Sequence, residues 1–251
     1  ARRPGDSIML PKILMERLPT LLIVPLVAFV TAALFHDANA EANRLTPKER
    51  KAGWRLLFDG ESTQGWRSYG KDSFPKSGWT VDEGTLHKQA DQRPGDIMTR
   101  DTFEDFEFSW EWRLLPRGNN GVKYMIIPER KATVGHEYQM IDDQVVKNPY
   151  SSCASFYLIV PPRKDKPLKP MGEWNHSLIR VRGNHVEHWL NGMKVVEYEC
   201  GSEAIMAQVP KTKFKKWPGF GKKVRGHILL TDHKDPCWYR NLKIREFPEN
   251  D

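Results

Sequence analysis

Strict alternation of apolar and polar residues is the clearest pattern in the chain. Over residues 106–114 (FEFSWEWRL) every even position is apolar and aromatic or aliphatic, and every odd position is polar. A period of two predicts a β-strand with one buried face, because successive side chains point to opposite sides of a sheet. Glu111 and Arg113 are therefore expected on the polar face of this strand.

Further short strands follow, separated by turn residues. A hairpin is predicted around Asn191-Gly192, the dipeptide that a two-residue type I′ turn requires. No long stretch with helical period occurs after residue 55. Many short strands with Gly, Pro and Asn turns predict an all-β sandwich, jelly roll or barrel. The predicted strands cover residues 122–127, 137–141, 155–160, 177–182, 185–190, 193–198, 227–231 and 238–247.

The front of the chain carries a different pattern. Residues 18–35 form an uncharged apolar run, with Lys12 and Arg17 before it and Ala38-Asn39-Ala40 after it. This order predicts a secretory signal over residues 1–40, with Met9 as a candidate natural start. A membrane anchor is the alternative, because the run is close to the lower limit of about 18 residues for a span. Two interior prolines favour cleavage, so we expect an exported protein, periplasmic or extracellular, with no stable membrane anchor.

The mature part divides into a linker and one domain. Residues 41–52 are expected to be a linker with a short helix, because Thr46 suits an N-cap and Pro47 the first helical position. Residues 53–251 have a length that suits one all-β domain.

Composition limits the partners. The net charge of +7 in 251 residues is too small to imply nucleic acid by itself. Residues 211–225 hold seven basic residues and no acidic one, which predicts a solvated loop or, as the alternative, a site for an anionic envelope partner. Cys153, Cys200 and Cys237 allow one disulfide with a spare thiol, or three small buried side chains.

Candidate chemistry lies on the polar strand faces. Glu137 and Gln139 share one face of their strand by parity. His233 shares a face with His227 and Thr231 only if their strand continues that far. Carboxylate, amide, guanidinium and imidazole groups can hold sugar hydroxyls and move protons, although an alternating strand normally turns its charges toward solvent.

Seven segments in order resemble the 3-keto-disaccharide hydrolase domain family over nearly the whole mature chain. The resemblance implies a concanavalin A-like jelly roll of two antiparallel sheets with one concave face, and an exported enzyme whose partner is a carbohydrate. The segments are GWRLLFDGESTQGW (53–66), GDIMTR (95–100), FEDFEFSWEWRL (103–114), GNNGVKY (118–124), HEYQMIDD (136–143), GEWNHSLIRVRGNHVEHWLNG (172–192) and GHILLTDHKDPCWYRNLKIREF (226–247).

The family's polar sheet residues carry over by position onto six residues of this chain, and Lys123 is a further candidate beside them. Catalytic roles are expected for three and substrate binding for four. The last motif reads Leu-Thr-Asp-His-Lys where the family pattern is Leu-Gln-Asp-His-Gly, so Thr231 replaces an amide and Lys234 replaces a glycine. These two departures bear on the substrate and the activity that the resemblance implies for this chain. The seven residues are Glu137, His233 and Arg113 (catalytic), and Gln139, Glu111, Asp142 and Lys123 (substrate-binding).

A ketone at C3 of a glycoside acidifies the C2 proton, so the C1–O bond can break by elimination before water adds. The sequence predicts His233 or Glu137 as the base, Arg113 as the enolate stabiliser and Gln139 as a sugar-hydroxyl binder. No cofactor is certain, and a divalent metal held by Glu137 and His233 is a variant of this hypothesis. A non-catalytic carbohydrate-binding module is the second hypothesis, because lectins share the fold. An envelope-interaction protein using the basic loop is the third.

Overall fold

The structure, a computed structural model, describes residues 42–248 as thirteen strands and a few short helices. The predicted secretory signal over residues 1–40 lies outside these described residues. Helix α1 (Pro47–Lys51) begins as its sequence predicts. Thr46 accepts a hydrogen bond from the amide of Glu49, whose side chain reaches back to the amide of Thr46. Within residues 42–248 no helix is both long and apolar enough to span a membrane.

Eight of the strands form one antiparallel sheet. Strand β1 (Arg55–Leu56) is a short addition that pairs with β13. The other seven lie in the order β11 (Met193–Glu199), β10 (His185–Leu190), β9 (Asn175–Arg182), β6 (Phe106–Leu114), β13 (Cys237–Glu246), β4 (Thr85–Lys88) and β3 (Trp79–Asp82).

Five strands form the second antiparallel sheet. They lie in the order β2 (Trp66–Ser68), β5 (Ile97–Thr99), β12 (His227–Leu230), β7 (Asn119–Ile126) and β8 (His136–Ile141). The two sheets pack face to face as a sandwich, which confirms the predicted all-β fold of two antiparallel sheets. One short helix, α2 (Glu203–Gln208), lies between β11 and β12.

Aromatic side chains fill the space between the sheets. The apolar positions of β6 are all buried, and the Trp110 ring meets the Tyr138 ring of β8 edge-on at 5.0 Å. The indole N–H of Trp112 donates to Ser177, which in turn donates to the hydroxyl of Tyr138. These contacts identify the inner face of both sheets. Because side chains alternate along a strand, the neighbours of these residues point outward.

A chain of hydrogen bonds runs through one end of this core. His136 contacts the hydroxyl of Tyr198, which contacts Tyr124, and Tyr124 contacts His188, each at 2.7 to 2.8 Å. Burial lowers the pKa of His136 to about 3 and that of His188 to about 4, so both imidazoles are neutral. The ring of His188 also binds the carbonyl of Ala154 at 2.9 Å, which ties the segment after β8 to the core.

Several predictions from the sequence can be compared with these elements. Asn191 and Gly192 both have positive φ, 46° and 86°, as a type I′ turn between β10 and β11 requires. The strand predicted over residues 155–160 is wrong, because the segment forms turns with only isolated bridges to β8 and to itself. All three cysteines are free and buried, so the reading as small buried side chains is confirmed. The strand predicted over residues 227–231 ends one residue earlier, at Leu230.

Candidate functional site

The outer face of the five-stranded sheet carries a row of polar side chains on β7 and β8. Lys123 stands directly opposite Glu137, and Gly121 stands opposite Gln139. Tyr138 points inward to the core, so Glu137 and Gln139 point outward, as their parity predicts. Although outward, Glu137 is only 6% exposed, because the chain after β8 folds back beside it.

Gly121 makes the room that Glu137 occupies. A Cβ atom at position 121 would lie 2.6 Å from Oε1 of Glu137, closer than such contacts allow. No hydrogen bond or ion pair from residues 42–248 holds this carboxylate. Its oxygens are not among the fully buried polar atoms that lack a partner, so they reach solvent. The carboxylate of Glu137 is therefore a group available to a bound molecule.

His233 reaches the same face from the segment after β12. Burial lowers the pKa of its imidazole, and the charge of Lys123 lowers it further, while Glu137, Asp96 and Asp235 oppose the shift. The half-buried imidazole therefore lies among one ammonium group and three carboxylates. It is neutral at lower pH than an ordinary histidine and can accept a proton.

A buried ion pair fixes the segment that carries His233. Lys88 has no exposed surface, and its Nζ lies 3.1 Å from the carboxylate of Asp232, the residue before His233. The same ammonium group donates to the carbonyls of Gln89 and Gln92. Asp232 accepts from the amide of Gly95 and donates its own amide to Asp96. The loop before β5 and the segment after β12 are thus joined around one lysine.

Tyr157 lies at the edge of the row, beside β8. Its amide donates to the carbonyl of Glu137 at 3.0 Å. The preceding residue, Phe156, packs against His136, and the Tyr157 ring meets the Phe214 ring edge-on at 6.4 Å. Burial raises the pKa of Tyr157, and the charge of Glu137 raises it further, so the hydroxyl keeps its proton.

Gln139 and Asp142 differ in the hydrogen-bond partners of their side chains. The amide of Gln139 donates to Asn119 at 2.9 Å, and the backbone amide of Asn119 donates to Asp235, so Gln139 belongs to a polar cluster at the site. Asp142 uses both carboxylate oxygens on backbone amides, those of Arg117 and Gln144. This buried carboxylate therefore shapes the turn after β8.

Arg113 and Glu111 lie on the other sheet, and the structure does not bring them to Glu137. They alternate with Trp110 and Trp112, which face the core, so they project from the outer face of the eight-stranded sheet. The Arg113 guanidinium lies between the Trp174 and Trp238 rings, 5.1 and 4.6 Å from their centroids. Packed sheets are about 10 Å apart, so the two outer faces are separated by the whole core.

Glu111 is engaged on that same outer face. It accepts from Nε of Arg240 at 2.7 Å and from Asn241 at 2.9 Å. The expected convergence of Glu111 and Arg113 with Glu137 and His233 is therefore wrong. Alternation within a strand shows which residues share a face, but it does not show which of the two outer faces that is.

Thr231 and Lys234 mark where the last motif departs from the family pattern. The hydroxyl of Thr231 donates to Asn120 at 2.7 Å in the core, and Thr231 is 2% exposed. Asn120 also accepts from the Tyr239 hydroxyl of the opposite sheet. Threonine in place of the expected glutamine at position 231 therefore changes a core contact. Lys234, in place of the expected glycine, lies on the exposed surface.

Three residues of the site were missed in the sequence. Asp96 and Asp235 flank His233 electrostatically, and Tyr157 stands beside Glu137. Asp96 and Asp235 do lie inside the segments of the family resemblance, GDIMTR and TDHKDPCW, which is the signal that could have found them. Tyr157 lies in a segment read as an ordinary strand.

Metal ligation at Glu137 and His233 has little geometric support. In the part of the chain that the structure describes, one group of three His, Cys, Asp or Glu residues brings its ligand atoms within 4.8 Å of one another. It consists of His185, Glu187 and Glu197, on β10 and β11 of the other sheet. Arg180 and Lys194 already pair with Glu187. Glu137 and His233 do not form such a group, so we derive no step through a metal.

A two-sheet sandwich with a histidine, a lysine and a carboxylate on one outer face suits a glycoside-cleaving enzyme, and the comparisons with known proteins agree. Residues 53–245 match the model of the 3-keto-alpha-glucoside-1,2-lyase-like domain, so the chain belongs to that family.

Relatives support this class. A 3-keto-disaccharide hydrolase of Bacteroides thetaiotaomicron is 29% identical over 228 residues, covering 77% of this chain and 78% of the relative. Two solved structures from Parabacteroides distasonis, assigned as glycosyl hydrolases, are similar in fold. One has a TM-score of 0.75 at 29% identity, covering 83% of this chain and all of the other. The second has a TM-score of 0.62 at 27% identity, covering 77% and 99%.

Proposed function

We propose that this protein cleaves 3-keto-glycosides, with the reacting sugar bound on the outer face of the five-stranded sheet. The observation that carries the proposal is the meeting of His233, Lys123 and Glu137 on that face. An elimination route needs one base, a cation near the ketone oxygen and an acid for the leaving oxygen. It does not need the carboxylate pair at about 5–5.5 Å that a retaining glycosidase uses.

His233 is the proposed base. Burial keeps its imidazole neutral, so it can take the C2 proton of the 3-keto sugar. The carboxylate of Glu137 then stabilises the imidazolium that forms, as a charge of opposite sign beside it. Lys123, opposite Glu137 in the sheet, takes the role that the sequence had suggested for Arg113 and stabilises the negative charge on the C3 oxygen.

The enolate then collapses and expels the C1 oxygen. The electron pair of the C2–H bond becomes the C1–C2 double bond, and the leaving oxygen takes a proton from Tyr157. Water then adds across the double bond: its hydroxyl bonds to C1, its remaining proton returns to Tyr157, and His233 gives its proton back to C2. Both groups are restored and the 3-keto sugar is released, so the net reaction is hydrolysis. Gln139 and Asn119 form a polar pair that suits sugar hydroxyls next to the reacting ring.

Export remains part of the proposal. The apolar run and Ala38-Asn39-Ala40 support a signal that is removed, and a periplasmic or extracellular enzyme would meet glycosides before uptake.

The test is turnover of a 3-keto-disaccharide, followed as glucose release and as loss of the ketone. His233→Ala and Lys123→Met should each lower kcat by about 100-fold or more, the usual size of a lost proton-transfer or charge-stabilising group. Glu137→Gln should also lower kcat. Full activity in both His233→Ala and Lys123→Met would refute the site.

Arg113→Met and Glu111→Gln are the matched controls, because they remove the same charges from the other sheet. They should leave kcat within a factor of about two. If the two controls lose activity and His233→Ala and Lys123→Met keep it, the active site lies on the eight-stranded sheet instead. Wild-type protein that binds both the keto and the unmodified disaccharide without product would instead indicate a carbohydrate-binding module.

A further inference from the structure

The segment between β11 and β12 holds an unbalanced basic surface. Lys211, Lys213, Lys215 and Lys216 are all exposed, and we call these four residues the lysine rim. Within residues 42–248 none of the four makes an ion pair. Farther along the segment, Lys223 pairs with Asp105 and Arg225 with Glu104, so the rim holds four of the five basic residues of the segment whose charge is not paired.

The rim stands on a packed base. The rings of Phe214 and Phe220 are stacked 4.1 Å apart at an angle of 8°, and both side chains are buried. Gly221, with φ of 90°, lies against Ile205 and Val209, where a Cβ atom would come within 3.0 to 3.2 Å of their methyl groups. The lysines are therefore displayed from a fixed surface, which reduces the entropy that a bound partner would have to remove.

The rim adjoins the proposed site. The Nζ of Lys213 lies 4.7 Å from the centre of the Tyr157 ring, and the Phe214 ring meets the same ring edge-on. The backbone amide of Tyr157 donates to the carbonyl of Glu137 at 3.0 Å, so the two residues are direct neighbours. A sugar chain that leaves the reacting ring across the β8 edge would pass over Tyr157 to the rim.

Resting on the proposed function, we infer that the lysine rim binds acidic groups of the substrate, so that the preferred glycosides carry a carboxylate or sulfate beyond the 3-keto ring. Lysine is a compact point charge that attracts anionic groups without requiring one geometry. Nucleic acid fits this surface less well, because two of the three aromatic rings of the segment, Phe214 and Phe220, are buried in its base and only Trp217 is partly exposed.

The test compares 3-keto-glucosides that differ only in the second sugar: glucose, glucuronate or glucose 6-sulfate. At low ionic strength we expect the two acidic substrates to have kcat/KM about tenfold above the neutral one, and 0.5 M salt to remove the difference. Lys215→Gln/Lys216→Gln should lose most of the preference and leave turnover of the neutral substrate unchanged. Lys48→Gln/Lys51→Gln, which removes two exposed lysines of α1, should change neither.

The outcomes separate this inference from the proposed function. Equal kcat/KM for acidic and neutral substrates, with no effect of salt, would overturn the inference and leave the hydrolase intact. If no 3-keto-glucoside is cleaved, the test of the rim is the binding affinity for the free uronate and sulfated disaccharides, measured by titration. Binding weakened in Lys215→Gln/Lys216→Gln alone supports the rim, and equal binding refutes it. Tighter binding of single-stranded DNA or anionic vesicles than of acidic sugars would also refute it.

Discussion

Replacing Lys88 with methionine should destabilise the protein strongly, because its ammonium group is fully buried. The change leaves the Asp232 carboxylate, only 7% exposed, without its opposite charge. It also leaves the carbonyls of Gln89 and Gln92 without their donor. Breaking a buried ion pair by removing one partner costs about 3–5 kcal/mol. For a domain of this size, that corresponds to a fall in Tm of about 6–20 °C.

Calorimetry and urea denaturation of Lys88→Met would measure the loss. Lys88→Met/Asp232→Asn should recover much of the stability, because asparagine still accepts from Gly95 and carries no charge. Lys223→Met is the graded control, because Lys223 pairs with the more exposed Asp105 and should lose less stability.

The same variant tests how the loop is positioned. Because Asp232 precedes His233 and donates its amide to Asp96, Lys88→Met should lower kcat more than it changes KM, at a temperature where the variant is folded. If Lys88→Met lowers the free energy of unfolding by less than about 1 kcal/mol, the usual size for an exposed ion pair, the reasoning about the buried pair is refuted.

Two further predictions concern the site itself. The acid limb of the kcat/KM profile should have its midpoint below the ordinary histidine pKa of 6.5, because burial lowers the pKa of His233 and the proposed base works only when neutral. A pH–rate profile measures this, and a midpoint above 6.5 would contradict it. Gly121→Ala should lower kcat at nearly unchanged Tm, because the new Cβ would displace the Glu137 carboxylate. Thermal unfolding beside steady-state kinetics checks this, and a variant with wild-type kcat would refute the need for a glycine there.

Local structure could be predicted well from the sequence. The alternation over residues 106–114 gives β6 with its apolar face buried, and Asn191-Gly192 gives the hairpin. Both depend on contacts between neighbours in the chain. The parity of Glu137 and Gln139 is likewise right, because a regular strand fixes it.

The arrangement of the site could not be predicted in the same way. Arg113 and Glu137 both lie on outer faces, and only the order of strands in the two sheets decides that these faces are different. His233 lies beyond the end of β12, where the period of two no longer applies, so its position depends on Lys88 and Asp232. Tyr157 depends on how an irregular segment packs beside β8. These are long-range contacts that a local pattern does not carry.

The segment that follows β8 also has a consequence for self-association. Backbone groups along the free side of β8 bond to this segment, with Ala154 donating to Gln139, Gln139 to Ser155 and Tyr157 to Glu137. An uncovered strand edge is a template for pairing with a second molecule, and proteins commonly blunt such edges. The stretch that lies beside Glu137 therefore also caps the sheet. Shortening it to change specificity would expose β8, so variants with altered specificity are expected to carry a higher tendency to aggregate.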